Sequence, residues 1–205
     1  MISQKKFKIL EVWGKRMFDE LSISEIMRLA GKKTKPWVFN ALKLLVKHNL
    51  LISKRKGNIN LYSLNLHNPL LFQIFQYLKI QDLLRFSQLG LIEDIISRIP
   101  VKNYCLLVFG SYAEKKQKES SDIDICFLIS SADEEKMIKP YVNEIKLCHS
   151  TEIDDHYITF EDFIAMLLRK EENLAKQIFR KCIIFFNSDT YYQAILGAYK
   201  NGFRQ

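Results

Sequence analysis

Two aspartates separated by one residue stand at the start of an apolar run in the segment SDIDICFLI. In an extended strand alternate side chains share a face, so Asp122 and Asp124 lie on one face and Ile123 and Ile125 on the other. Two neighbouring carboxylates repel each other, which makes the pair costly unless a cation neutralises the charge. Hard divalent cations prefer oxygen ligands, and two such ions can hold the phosphates of a phosphoryl transfer. The pattern therefore predicts a site for Mg²⁺ or Mn²⁺.

A glycine-serine pair precedes the two aspartates. The apolar run YCLLVF predicts a buried strand that ends at Gly110, where a glycine lets the backbone approach a ligand closely. Ser111 then falls in the opening turn of a helix, where N–H groups attract phosphate and the hydroxyl adds a donor. We therefore expect this turn to bind phosphate.

The stretch GSYAEKKQKESSDIDICFLI resembles the nucleotidyltransferase signature of the DNA polymerase β superfamily, in which Gly-Ser precedes Asp-x-Asp on a strand. It is most similar to the minimal nucleotidyltransferases, and the similarity covers the C-terminal half of the chain. The resemblance implies that Gly110 and Ser111 hold a triphosphate and that Asp122 and Asp124 bind the metals. Ser121 fits the small polar position before the first aspartate. The implied activity moves a nucleoside monophosphate from a triphosphate, for which we expect ATP, to an unidentified acceptor.

One position departs from the pattern of this family. Many members carry a second glycine two residues after the alanine of the signature, where this chain has Lys115. Either Lys115 or Lys116 reaches the phosphate in place of a close backbone approach, or the loop changed because catalysis was lost. We include Lys115 among the nucleotide-binding candidates.

The resemblance also implies a third carboxylate on the next strand, EIDDHYIT, without choosing between Asp154 and Asp155. Strand alternation places Asp154 and His156 on one face, and Ile153 and Asp155 on the other. If Ile153 packs on the same helices as Ile123 and Ile125, then Asp154 points toward the metals. We therefore predict Asp154 as the third catalytic and metal-binding carboxylate, with Asp155 structural or exposed, although a bulge would reverse this choice. Of the four histidines, only His156 comes near other possible metal ligands, and we expect it to be structural.

The N-terminal part of the chain shows three helical segments followed by a two-stranded hairpin. Ser22 and Glu25 have the spacing of a capping box at the second helix. The third helix carries apolar residues on one face, and the two strands are expected to be joined by a basic turn around Lys54, Arg55, Lys56 and Gly57.

This N-terminal stretch resembles winged helix-turn-helix domains. In that family the third helix enters the major groove and the wing contacts the DNA backbone. The resemblance therefore implies DNA contacts from the third helix and phosphate contacts from the wing, by Lys35, Asn40, Lys43, Lys54, Arg55 and Lys56.

Composition is consistent with a polyanionic partner, because the formal net charge is +8 over 205 residues. The sequence contains no apolar run long enough to cross a membrane, and its first residues lack the apolar stretch of a secretory signal. The four cysteines are scattered, without a CxxC pair. We expect a cytoplasmic protein with reduced thiols.

The predicted fold class is α+β. We expect a winged helix-turn-helix domain at residues 1–66, a helical connector at 67–100 and a nucleotidyltransferase domain at 101–205, with a small mixed sheet flanked by helices. The apolar stripe of the connector packs on both domains or forms a dimer seam, and we favour packing on both domains.

Two other functions stay open. One is a DNA-binding regulator whose transferase domain is regulatory or inactive. The other is an antitoxin-like protein with a helical HEPN-type partner.

Overall fold

The computed structural model describes residues 3–14 and 16–204. The chain divides into two compact units, of which the first ends at Ile80 and the second runs from Gln81 to Arg204. The division falls inside a helix of the segment that was expected to connect two domains. No helix among the described residues is both long and apolar enough to cross a membrane.

The first unit combines short helices with a small antiparallel sheet, in the order β1-β3-β2. Helix α4 begins in this unit and continues past the division. The elements in chain order are α1 (Gln4–Phe7), a 3₁₀ helix (Lys8–Trp13), β1 (Leu21–Ser22), α2 (Ile23–Leu29), α3 (Lys35–Lys47), β2 (Leu51–Lys56), β3 (Ile59–Leu64) and α4 (Leu70–Leu84).

Local sequence signals explain where helix α2 begins and which face helix α3 buries. The Ser22 hydroxyl accepts a hydrogen bond from the Glu25 amide, and the Glu25 carboxylate accepts one from the Ser22 amide at 2.8 Å. The predicted capping box is therefore confirmed. Helix α3 buries one apolar face completely, through Val38, Ala41, Leu42 and Leu45.

The hairpin of β2 and β3 has a tight turn. Lys56 pairs with Ile59 across the ladder, so only Gly57 and Asn58 lie in the turn, and Gly57 has a φ of +59°. This left-handed conformation favours glycine because no Cβ is present. Lys54, Arg55 and Lys56 were expected in the turn, but they lie on strand β2 instead.

The second unit contains a four-stranded mixed sheet flanked by helices, in the order β6-β5-β4-β7. Strand β4 is antiparallel to both β5 and β7, whereas β5 and β6 are parallel. This agrees with the predicted α+β class. The elements in chain order are α5 (Leu89–Arg98), β4 (Cys105–Val108), α6 (Gly110–Glu114), β5 (Ile123–Ile129), α7 (Ala132–Cys148), β6 (Ile153–Thr159), α8 (Phe160–Leu168), α9 (Leu174–Arg180), β7 (Ile183–Phe186) and α10 (Ser188–Lys200).

One face of this sheet packs on helices α5 and α7. Ile123 and Ile125 of β5 belong to a buried cluster with apolar residues of both helices, and Ile153 of β6 joins the same cluster. Because side chains alternate along a strand, the residues between these isoleucines face the other side of the sheet. The packing thus determines which side chains of β5 and β6 can form a site.

Candidate metal and nucleotide site

Strands β5 and β6 bring two carboxylates side by side. In the parallel ladder Asp124 lies opposite Asp154, so both side chains extend from the same face. His156 follows two residues later on that face. One ligand atom from each of these three residues lies within 4.8 Å of the other two. The described residues therefore contain an Asp-Asp-His group of a size that could hold a metal ion.

His156 is attached to this group by two contacts. Its Nε2 lies 3.1 Å from Oδ2 of Asp154, and its ring lies 5.5 Å from the ring of Phe109, the residue before Gly110. Sequence reasoning expected a structural histidine here and did not assign it to the site. Its position two residues after Asp154 was the available signal.

Asp122 lies one residue before β5, is exposed, and is not part of the Asp-Asp-His group. Its charge still acts on Asp124. Partial burial raises the pKa of Asp124, and the negative charges of Asp154 and Asp122 raise it further, whereas His156 acts in the opposite direction. The ionised form of Asp124 is thus disfavoured in the absence of a cation.

Asp155 points to the helical side of the sheet, as expected from the burial of Ile153. Its side chain is only 7% exposed and forms an ion pair with Lys146 of α7. Burial opposes ionisation, but the hydrogen bond and charge of Lys146 outweigh it and lower the pKa of Asp155. Asp155 therefore pairs with helix α7 and points away from Asp124. The catalytic role of Asp154 stays a prediction.

The glycine of the Gly-Ser pair is packed directly against Asp124. Gly110 has a φ of +62°, and the amide of Phe109 donates a hydrogen bond to the Asp124 carbonyl at 3.0 Å. A Cβ at position 110 would lie 2.8 Å from Cγ of Asp124 and closer still to its carboxylate oxygen. Both the backbone angle and the space require glycine here.

The other predicted nucleotide ligands lie in or after helix α6. Ser111 is the second residue of this helix and is half-buried. The Ser121 hydroxyl accepts a hydrogen bond from the Lys118 amide at 2.9 Å, so it closes the loop that leads into β5.

Lys115 ends helix α6 in a left-handed conformation, with φ 60° and ψ 39°. This conformation favours glycine, which gives a physical reason for the glycine that the resemblance expects there. The Lys115 ammonium lies 3.3 Å from the Asp82 carboxylate, and the Lys116 ammonium lies 2.7 Å from Glu114. The two lysines considered as alternatives for a phosphate contact are therefore both paired with carboxylates, although they remain largely exposed.

The six predicted DNA ligands are all exposed, with Lys35, Asn40 and Lys43 on α3 and the other three on β2.

A cavity of about 440 Å³ also lies in the first unit, and none of the six predicted DNA ligands lines it. Four lysines surround the cavity, and Nζ of Lys32 lies 5.5 Å from the Trp37 ring centre. Sequence reasoning missed its lining residues, which are Lys5, Lys8, Lys32, Lys33, Thr34 and Trp37.

We expect the Gly110→Ala substitution to destabilise the second unit and to displace Asp124. A non-glycine residue in the left-handed region costs about 1–2 kcal/mol, and the new Cβ forces the Asp124 carboxylate to move. Chemical denaturation would measure the loss of unfolding free energy, and titration with Mn²⁺ would measure weaker binding. The matched control is Gly90→Ala, because Gly90 lies in helix α5 with open space around its Cβ position. Equal effects of the two substitutions would contradict the packing argument.

We expect Asp124→Asn to stabilise the metal-free protein at neutral pH. Since the pKa of Asp124 is raised in the folded state, its ionised form opposes folding, and this penalty grows as pH rises through that pKa. The melting temperature in chelator should therefore rise at neutral pH. The gain should shrink as pH falls toward the ordinary aspartate value, and added Mn²⁺ should stabilise the variant less than the natural protein.

Glu119→Gln provides the control for this substitution, because it removes one negative charge from an exposed residue of the loop before β5. Its melting temperature should change little with pH or metal. A lower melting temperature for Asp124→Asn in chelator would show that the carboxylate is not under electrostatic strain.

Residues 92–191 match the family model described as Polymerase beta, Nucleotidyltransferase. The matched segment contains Gly110, the three aspartates of the prediction and His156. No curated protein and no solved structure shows significant similarity to the chain. The winged helix-turn-helix assignment of the first unit stays a prediction. The match supports assigning the second unit to the nucleotidyltransferase superfamily.

Proposed function

We propose that the protein is a metal-dependent nucleotidyltransferase that moves a nucleoside monophosphate from a triphosphate, with ATP as donor, to an acceptor hydroxyl. The observation that carries this proposal is the pairing of Asp124 with Asp154 on parallel strands, beside the Gly110 turn. The family match over the same residues supports the reaction class.

The donor set fits a divalent cation such as Mg²⁺ or Mn²⁺, because carboxylate oxygens are the preferred ligands of these ions. Asp122, Asp124 and Asp154 are the carboxylates that would hold it. A bound cation would neutralise the triphosphate charge and lower the barrier to attack by the acceptor oxygen. The raised pKa of Asp124 is consistent with this role, because a cation would stabilise its ionised form.

In the proposed reaction the acceptor oxygen forms a bond to the α-phosphorus of the donor. The bond between that phosphorus and the oxygen bridging to the β-phosphorus breaks, and pyrophosphate leaves. Asp154 is more than half exposed, which suits a carboxylate that orients the acceptor and accepts the hydroxyl proton. Gly110 allows the phosphates to approach the backbone, and the Ser111 hydroxyl donates a hydrogen bond to them.

The first unit would bind nucleic acid in the manner of a winged helix, with α3 on the bases and β2 on the phosphates. The complete burial of one α3 face supports this role, because it leaves Lys35, Asn40 and Lys43 exposed on the remaining surface. The cavity lined by four lysines enlarges the basic surface of the same unit. Phosphate contacts of this kind are independent of sequence and depend strongly on salt.

One observation favours the second candidate, a DNA-binding regulator whose transferase domain is inactive. Lys115 and Lys116 are paired with Asp82 and Glu114, and these carboxylates compete with phosphate for the two ammonium groups. Such exposed pairs are weak, and a triphosphate could displace them. A HEPN-type partner and a homodimer stay predictions.

We expect Asp154→Asn to lower nucleotide transfer by about 100-fold or more, the usual contribution of a positioned acid or base. Asp155→Asn should retain activity, because Asp155 faces helix α7 and pairs with Lys146. The measurement uses α-labelled ATP with either Mg²⁺ or Mn²⁺ and mixed RNA and protein acceptors, and follows label transfer and pyrophosphate release. Melting curves would confirm that both variants are folded at the assay temperature.

Full activity of Asp154→Asn together with loss of activity in Asp155→Asn would reverse the assignment of the third carboxylate. Absence of transfer by the natural protein with every acceptor would favour the regulator.

We expect the triple substitution of Lys54, Arg55 and Lys56 by alanine to weaken binding to duplex DNA and to reduce its salt dependence. Each lost phosphate contact lowers the slope of log affinity against log salt by about 0.9, so three contacts predict a reduction of about 2–3. Fluorescence anisotropy at several salt concentrations would measure the slope.

The control for DNA binding removes three exposed lysines of the second unit, Lys136, Lys139 and Lys170. An unchanged slope in the hairpin variant, or an equal reduction in the control, would overturn the proposed role of β2.

A further inference from the structure

The Asp-Asp-His group contains one nitrogen donor, His156, beside its two carboxylates. Asp124 and Asp154 offer oxygens, whereas His156 offers an imidazole nitrogen within the same 4.8 Å. Imidazole suits Fe²⁺, Ni²⁺ and Zn²⁺, and Mn²⁺ lies at the weak end of the same transition-metal series, while Mg²⁺ prefers oxygen ligands and water. We infer that His156 is a direct metal ligand and that it makes the site selective for a divalent transition metal over Mg²⁺. This inference rests on the metal site of the proposed function.

The distance between the two ligands on β6 is consistent with shared coordination. Nε2 of His156 lies 3.1 Å from Oδ2 of Asp154. For metal–ligand bonds of about 2.1 Å, two ligand atoms at right angles lie about 3.0 Å apart. The two side chains are thus already spaced as neighbouring ligands, so a cation can replace the hydrogen bond without a change of the backbone.

The position of the His156 ring is determined by the surrounding structure. The ring packs on Phe109, which hydrogen-bonds through its amide to the carbonyl of Asp124. Strand pairing places His156 opposite Cys126, on the same face as the two aspartates. Cys126 is fully buried and is not one of the three residues of the Asp-Asp-His group.

A positioning role for His156 makes different predictions. If the imidazole only donates a hydrogen bond to Asp154, its removal weakens the binding of Mn²⁺ and Mg²⁺ by similar factors. If the imidazole binds the metal, its removal weakens Mn²⁺ much more than Mg²⁺. A ligating nitrogen also couples magnetically to the unpaired electrons of Mn²⁺, which a hydrogen-bonding imidazole outside the coordination shell does not do.

The experiment uses the full-length chain and compares it with His156→Asn and with the control His149→Asn. His149 lies in the same unit and is hydrogen-bonded to Asp94 instead. Calorimetry would give the dissociation constants for Mn²⁺ and Mg²⁺, each measured alone. We expect His156→Asn to raise the Mn²⁺ constant at least tenfold more than the Mg²⁺ constant, and His149→Asn to leave their ratio unchanged.

Pulsed electron paramagnetic resonance of the Mn²⁺-loaded natural protein provides a second measurement that does not depend on a variant. We expect nitrogen modulation whose frequencies change when histidine is isotope-labelled and which is lost in His156→Asn. Absence of this modulation, or an equal loss of Mn²⁺ and Mg²⁺ affinity in His156→Asn, would overturn the inference. In that case metal binding and transfer by the natural protein would leave the proposed function intact, whereas failure to bind either ion would overturn both.

Discussion

The parallel pairing of β5 and β6 is the constraint on which the site depends. Its register places Asp124 opposite Asp154, and the isoleucines on either side hold that register because they pack on α5 and α7. A slip by one residue would exchange the two faces of β6. Asp155 would then replace Asp154 at the site, and Ile153 would leave the core. Burial of apolar surface thus determines where the carboxylates point.

The same arrangement concentrates negative charge where the sheet face is partly buried. Asp124 has a raised pKa because burial and two neighbouring carboxylates disfavour its ionised form. Asp155 sits on the other face, and Lys146 stabilises its charge. On one face of the sheet the charge of Asp155 is therefore neutralised by a lysine of the protein. On the other face the charge of Asp124 has no such partner among the described residues and would be neutralised by a bound cation. Strain of this kind is typical of functional sites and is tolerated because the core stabilises the fold.

Only part of the first unit could be predicted from the sequence. In the first unit the capping box and the buried face of α3 follow from residues within one or two turns of each other. The basic cavity could not be predicted in the same way. Its lysines come from the first two helical segments and from the loop before α3, which lie more than 20 residues apart in the sequence. Nothing local to either segment indicates that they meet.

The sequence was sufficient to predict the two faces of β5, because a period of two separates aspartates from isoleucines whatever the partner strand is. It also predicted that the backbone at Gly110 approaches a ligand, which stays a prediction, while the structure shows that Asp124 occupies the space beside Gly110. Three features were decided only by the tertiary structure: the addition of His156 to the metal group, the pairing of Asp155 with Lys146, and the pairing of Lys115 with Asp82. Each depends on the register of a parallel ladder or on a contact between distant elements. Such contacts form because the core packs in one way. Strand alternation placed His156 on the face of Asp154, but no local pattern identifies the residue across the ladder or the partner on a distant element.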